Sequence, residues 1–342
     1  MMSRKGHQLK AAAVLMLSIG ILPACQSHSP RISSEPIIFR GMCDASGAVP
    51  LSANRFAIAD DEDNALRVYD VNKGGEPLAI YDLSAALGLH PRPSKKPGKP
   101  PKSPPELDIE GATIYKGLAY WITSHGRNSS GKYRAERLNF FATTLGEDNK
   151  PMKVAGDVYE NLLADLVADP RMAPFQLAEA AEKAPKDPGG LNIEGLTARK
   201  EGGVWIGFRN PLPQQKALVV PLLNPEKVIH GEAARFGEPL LLDLDGRGIR
   251  ALSSWRGQYL IAAGAYAGDD PSTLYTWDGV GKPTPIPLPA ARIANPEAFF
   301  TPEIRDQIMF FNDQGTVLVD GVACKKLDDP TRKYFTGVWF RL

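Results

Sequence analysis

The sequence predicts an all-β protein: a β-propeller of five blades carrying a short helical insertion, with a sixth blade left open by the poorly matching chain ends. Three observations carry this. The heptapeptide Leu191-Asn192-Ile193-Glu194-Gly195-Leu196-Thr197 is nearly repeated at Leu107–Thr113 and more weakly at Ala294–Phe300. Cys43–Val49 and Gly246–Leu252 occupy the same place in their own surroundings without the acid. After each copy come a turn, an apolar strand, a polar cluster and another apolar strand, a unit repeated five times, as in propellers and related closed β arrays. Gly 32 and Pro 30 are high together in a chain of 342 residues, which suits many tight turns and few long helices.

In chain order, the first repeat places strands at Arg55–Ala59 and Leu66–Asp70 around the acidic run Asp60–Asn64, which reads as a solvated turn, with Pro77–Asp82 outside them. Residues 37–49 form its lead-in. Residues 90–106 are rich in Pro and Lys and lack core-forming side chains, so they predict an extended, exposed connection. The second repeat runs from Asp108 through Ala119–Thr123, the cluster Ser124-His125-Gly126-Arg127-Asn128, and Leu138–Ala142. Residues 157–184 break the β pattern: Val158, Leu162, Leu166 and Val167 recur near helical spacing, which predicts two short helices capping one mouth of the ring. The third repeat uses Val204–Gly207, Ala217–Val220 and Pro239–Leu244. The fourth uses Gln258–Gly264 and Thr273–Trp277. The fifth uses Gln307–Phe311, Thr316–Val319 and Gly337–Arg341.

The first 24 residues read as a targeting segment. Arg4, Lys5 and Lys10 precede the apolar run Ala11–Ile21, which is shorter than the roughly 20 residues a spanning helix needs. The run ends in Leu22-Pro23-Ala24-Cys25, which resembles a bacterial lipobox and implies lipidation of Cys25, with residues 25–36 as lipidated cysteine and tether and 37–342 as the propeller domain. Gln26 after the cysteine favours outer-membrane sorting, so the expected location is lipid-anchored and periplasm-facing, with the membrane as a partner through the N-terminal lipid. Two cysteines then remain. Cys43 starts the first repeat and Cys324 lies near the end, so a disulfide between them would clip the ring shut; two separate buried thiols are the alternative. Without the basic leader the overall charge of +1 turns slightly acidic, which gives no electrostatic case for nucleic acid as a partner.

The first strand of each blade lines the channel, so Glu110, Glu194 and Glu297 are expected to converge on the axis. Converging carboxylates repel at low dielectric unless neutralised. Three answers stay open. The glutamates bond neighbouring backbone amides and fix the ring's register. Alternatively, they hold a metal, with Asp108, Asn192 and Asn295 as further oxygen ligands and Ca²⁺ as the fitting cation. In the third, they pair with Arg127, Arg209, Arg247 and Arg250 in a pocket for a small anionic ligand. His125, beside a repeat motif, is the candidate catalytic acid or base.

Five of these motifs together resemble a bacterial family of predicted β-propellers of unknown function: Asp108-Ile109-Glu110-Gly111, Ser124–Asn128, Asn192–Leu196, Gly207-Phe208-Arg209-Asn210-Pro211-Leu212 and Gly246–Arg250. The resemblance spans about Arg40 to Trp277 and implies a propeller with no established activity. More distantly, the acid-bearing blade starts are similar to phytase-like esterase propellers and gluconolactonase-type calcium propellers, whose central carboxylates hold a metal. The leading expectation is recognition of a small anionic ligand or envelope component at the channel mouth. The rivals are a metal-assisted phosphoester or ester hydrolase and a non-catalytic interaction scaffold.

Overall fold

Strands buried on both faces read as unbroken apolar runs, because alternate side chains face opposite neighbours and both neighbours are core. Ala57-Ile58-Ala59, Tyr120-Trp121-Ile122 and Val204-Trp205-Ile206 are such runs, and each is wholly buried. The structure is a computed structural model that describes residues 31–32, 35–94, 98, 101–146, 152–268, 271–288 and 295–342. The leader and the lipobox with Cys25 lie outside the described residues, as does part of the Pro/Lys-rich stretch.

Five antiparallel sheets form the blades. Blade 1 uses Ala45–Pro50, Arg55–Asp60, Ala65–Asp70 and Ala79–Asp82, from axis to rim. Blade 2 uses Ile109–Tyr115, Leu118–Thr123, Phe140–Thr143 and Val154–Tyr159. Blade 3 uses Asn192–Ala198, Val204–Asn210, Ala217–Leu222 and Leu240–Leu242. Blade 4 uses Gly248–Trp255, Gln258–Gly264, Thr273–Trp277 and Thr284–Pro285. Blade 5 uses Pro296–Phe300, Ile308–Asn312 and Tyr334–Arg341, and its outer edge comes from the start of the chain, Arg31–Ile32 and Ile37–Arg40. Each innermost strand packs against the innermost strands of the blades on either side, so the ring closes at five, and a sixth blade is absent among the described residues.

Five separate apolar clusters fill the wedges between neighbouring blades. The alternation explains the assignment: Trp121 faces blade 1, while Tyr120 and Ile122 face blade 3. The wedge between blades 5 and 1 is the most aromatic, with the Phe56 and Phe311 ring centroids 4.4 Å apart. That wedge joins the two chain ends, which Ile37–Arg40 ties through its register with Tyr334–Gly337. The disulfide Cys43–Cys324 fastens them a second time.

Three expectations shift. Residues 37–40 belong to blade 5 rather than to the lead-in of blade 1, because a closing ring needs an outer strand there. Leu318–Val319 pairs with Val322–Ala323 in a small separate hairpin, and Tyr334–Arg341 is the third strand of blade 5. The helical insertion starts later than position 157, because Val154–Tyr159 is still the rim strand of blade 2. Its helices are Leu162–Ala168 and Leu177–Ala181, joined by the 3-10 segment Pro170–Phe175. Leu162, Leu166, Met172, Leu177 and Ala180 pack into the wedge of blades 2 and 3, so the insertion sits on that flank instead of roofing the axis. No helix among the described residues is long and apolar enough to cross a membrane.

Candidate functional site at the channel mouth

Every innermost strand carries a β-bulge near its start. Register shifts occur between Ala45 and Ala48, Ile109 and Gly111, Ile193 and Gly195, Ile249 and Ala251, and Pro296 and Ala298. A bulge leaves one residue unpaired and re-aims its side chain. The unpaired residues are Glu110, Glu194, Arg250 and Glu297, with Ser46 and Gly47 in blade 1. Arg250, not Ile249, is therefore the counterpart of the glutamates, one position away from the register that the heptapeptide comparison implied. In blades 2 and 3 the next residue is glycine, and crowding keeps it so. A Cβ on Gly111 would lie 3.0 Å from the Leu196 backbone nitrogen, and one on Gly195 would lie 3.0 Å from the Gly207 Cα.

Glu110, Glu194 and Glu297 do converge: all three line one cavity of about 10 Å³ on the axis, space for a single water. Their environments differ. Glu194 accepts from Arg209 Nη1 at 2.8 Å and from Asn192 Nδ2 at 2.6 Å, and Arg209 Nε donates to the Ala265 carbonyl at 3.0 Å. Glu297 is ion-paired with Arg250, and both are buried. Burial, followed by the nearby Arg209 charge, lowers the Arg250 guanidinium to about 10. Ser46 donates to the Ile109 carbonyl at 2.6 Å. Glu110 has no hydrogen bond or ion pair among the described residues. Burial, then Glu194 and Asp108, push its carboxyl well above the usual range.

Besides Glu194 of blade 3, Glu110 is crowded by acids of blade 1 and of its own blade. Single ligand oxygens of Asp61, Asp108 and Glu110 all lie within 4.8 Å of one another, and Asp61 belongs to a second such group with Asp44 and Asp60. The topology explains the meeting. The second strand of each blade returns to the mouth where the first strand began, so the turn after it faces the axis. Asp61 N donates to the Asp44 carbonyl, Ser124 N to that of Asp108, and Asp313 N to that of Asn295, three equivalent contacts. The run Asp60–Asn64 is thus no solvated turn: Asp60 and Asn64 are buried, and Asn64 Oδ1 accepts from Leu107 N at 2.8 Å. Polarity alone hid this; the repeat's antiparallel order was the signal that could have found it.

Compensation within the cluster is partial. Arg137 Nη1 donates to Asp108 Oδ2 at 2.7 Å, and Lys325 Nζ lies 3.7 Å from Asp44 Oδ1 while holding Glu62 at 2.6 Å. Burial, opposed by Arg137, lifts Asp108 to about 6; burial, then Asp313, lifts Asp44 to about 7. Asp61 is pushed well up by burial, then by Glu110 and Asp44, and its Oδ1 is sealed from solvent with no hydrogen-bond partner. Glu194 Oε2 is likewise sealed and without a partner. Buried oxygens without donors are costly unless something supplies positive charge.

The remaining candidates lie elsewhere. His125, with φ 55°, is 1% exposed and donates from Nδ1 to the Thr123 carbonyl at 2.8 Å. Burial lowers its pKa to about 4, so the ring is neutral at pH 7. Arg127 reaches the helical insertion, donating to the Ala181 carbonyl at 2.9 Å and pairing with Glu182. Arg247 faces Asp245 at 3.9 Å, away from the carboxylate cluster.

Fold and site together define a five-bladed propeller whose channel mouth is lined by buried, incompletely neutralised carboxylates. Residues 143–291 match the model of a family described as "Protein of unknown function (DUF3616)", a stretch that holds the Asn192–Leu196, Gly207–Leu212 and Gly246–Arg250 motifs. No curated protein matches the sequence. Among solved structures the chain is similar to the pyrroloquinoline-quinone-bound aldose sugar dehydrogenase of Streptomyces coelicolor, with 11% identity and a TM-score of 0.45 over 92% of this chain and 98% of that one. It is also similar to the glutaminyl cyclase of Myxococcus xanthus, with 10% identity and a TM-score of 0.46 over 92% and 97% of the two chains. Overlaps this loose speak to neither activity nor ligand.

Proposed function

We propose that the channel mouth binds a hard divalent cation of the calcium class, and that this ion recruits a small anionic ligand. The observation that carries this is the meeting of Asp61, Asp108 and Glu110 within 4.8 Å, with Arg137 bonded to Asp108 alone of the three. Arg137 is shared between Asp108 and Glu106, so the three carboxylates keep an excess of negative charge that a divalent ion would offset. The unpartnered Asp61 Oδ1, within the cluster, and Glu194 Oε2, beside it, are buried oxygens to which no hydrogen is donated, which supports a missing positive charge. Calcium takes about 6–8 oxygens, so three or four protein carboxylates leave positions for water or ligand oxygens. Arg209 and Arg250 are already engaged by Glu194 and Glu297, so the ion is the better source of attraction for an anion. Hydrolysis is less well supported, because His125 is sealed from solvent with its Nδ1 held by the Thr123 carbonyl, out of reach of a substrate. In this reading the chain is lipid-anchored at Cys25 and periplasm-facing, an expectation that rests on the lipobox alone.

Elemental analysis of the full-length protein, purified without chelator beside Glu110→Gln, tests the reading. About one equivalent of calcium in the parent and none in the variant is the expected result. A metal-free parent, or equal metal in both, would sink it.

A further inference from the structure

A second site lies off the axis, between the helical insertion and the turns of blades 3 and 4. It is a cleft of about 630 Å³, within the range of small-ligand pockets. Phe175 and Gln176 form one wall, Gln214 and Gln215 the other, and Tyr266 stands beside Gly246 at one side. Lys183 and Glu179 are its only charged lining groups among the described residues, one of each sign, and Lys183 Nζ is 3.4 Å from the Pro188 carbonyl.

The glutamines are the informative feature. Among the described non-glycine residues with positive φ, three are glutamines, at 51° for Gln176, 54° for Gln214 and 59° for Gln215. All three line this cleft. The left-handed region favours glycine, and asparagine or aspartate after it; glutamine has no local hydrogen bond to offset the strain. Strain of this kind concentrates where a side chain is needed by function. All three side chains are exposed, and none of their amides has a hydrogen-bond partner among the described residues, so donors and acceptors from two separate elements are open to a ligand at the cleft.

We infer that this cleft is a binding site for an uncharged oligosaccharide. Paired amide donors and acceptors match vicinal hydroxyls, the Phe175 and Tyr266 rings offer apolar faces for the sugar's C–H surface, and balanced charge gives an anion or cation no advantage. Pro174, Pro188, Pro211 and Pro213 stiffen the walls, which lowers the ordering cost of binding. The site is independent of the acidic mouth.

The test is calorimetric titration of the full-length protein, in a sugar-free detergent, with maltotriose, cellotriose and chitotriose, and with citrate as a charged control. The expected result is saturable binding of at least one trisaccharide, unchanged by chelator, with no citrate binding that competes with it. Gln214→Gly/Gln215→Gly and, separately, Gln176→Gly raise its Kd at least tenfold while the melting temperature holds or rises, because glycine relieves the strained φ. The inference is overturned if no trisaccharide binds, if citrate displaces the sugar, if the glycine variants bind like the parent, or if they melt lower.

Discussion

Arg250 and Glu297 stand at the same bulge position of neighbouring blades and form a buried ion pair across the blade 4–blade 5 boundary. Blade 4 thus supplies the one cation of a ring that is otherwise glutamate or small, and one of the three ring glutamates is neutralised from within. Arg209 does the same for Glu194 from the second strand of blade 3. Glu110, at the opposite side, has no such partner and faces Glu194 and the acids of blades 1 and 2.

Breaking the pair from one side is costly. Arg250→Met leaves Glu297 buried and unpaired, and stability is expected to fall by about 3–5 kcal/mol in chemical denaturation. Adding Glu297→Gln removes the orphaned charge, so the double variant recovers part of that loss. A double variant as unstable as the sum of the two singles contradicts the pairing.

At the acidic mouth the direction reverses. In chelator, Asp61→Asn removes a carboxylate whose Oδ1 is sealed without a partner and which faces Glu110 and Asp44. The variant is expected to unfold at higher denaturant, by about 1–3 kcal/mol. Added calcium stabilises the parent and not the variant, which denaturation curves with and without the ion will show.

The pH dependence follows from the raised carboxyls. Asp108 and Asp44 bind their protons more tightly folded than unfolded, with folded values of about 6 and about 7 against a reference of 3.8. Between pH 4 and 7 the folded state therefore holds more protons, and its stability falls as pH rises through that window, by at most about 1.4 kcal/mol per pH unit for each group. Metal-free protein melts higher at pH 5 than at pH 8. Calcium, which needs the carboxylates ionised, narrows or reverses the difference. A melting temperature that rises with pH in chelator contradicts this assignment.

Closure of the ring rests on strand pairing and on the Cys43–Cys324 bond, which spans 281 residues of chain. Its removal in Cys43→Ala/Cys324→Ala is expected to cost about 2–5 kcal/mol. Hydrogen exchange should rise first in Ile37–Arg40 and Tyr334–Arg341, the strands that join the chain ends. Uniform loss of protection across all blades argues against closure at this seam.

The architecture was legible because the heptapeptide repeats and because each blade's apolar runs are long enough to count. The convergence of Glu110, Glu194 and Glu297 was legible too, since equivalent positions of a ring must meet on its axis. The rest depended on information that no single stretch holds. Arg250 was read one position out because Gly246–Leu252 has no glutamate to mark the register. Asp60 and Asp61 looked like a solvated turn because local polarity does not say which mouth a turn faces. His125 looked titratable, but its ring is buried, and burial set by tertiary packing cannot be read from a polar cluster. Arg127 and Arg247 adjoin the motifs in sequence and yet serve the insertion and a rim turn.

In the proposed function, Asp61, Asp108 and Glu110 hold a divalent cation. Titrating calcium by calorimetry into chelator-stripped, full-length protein at neutral pH tests it most directly, with Asp61→Asn and Glu110→Gln measured alongside. The account predicts one equivalent bound by the parent and at least a tenfold loss of affinity in each variant. No calcium binding by the parent, or equal affinity in all three proteins, would contradict it.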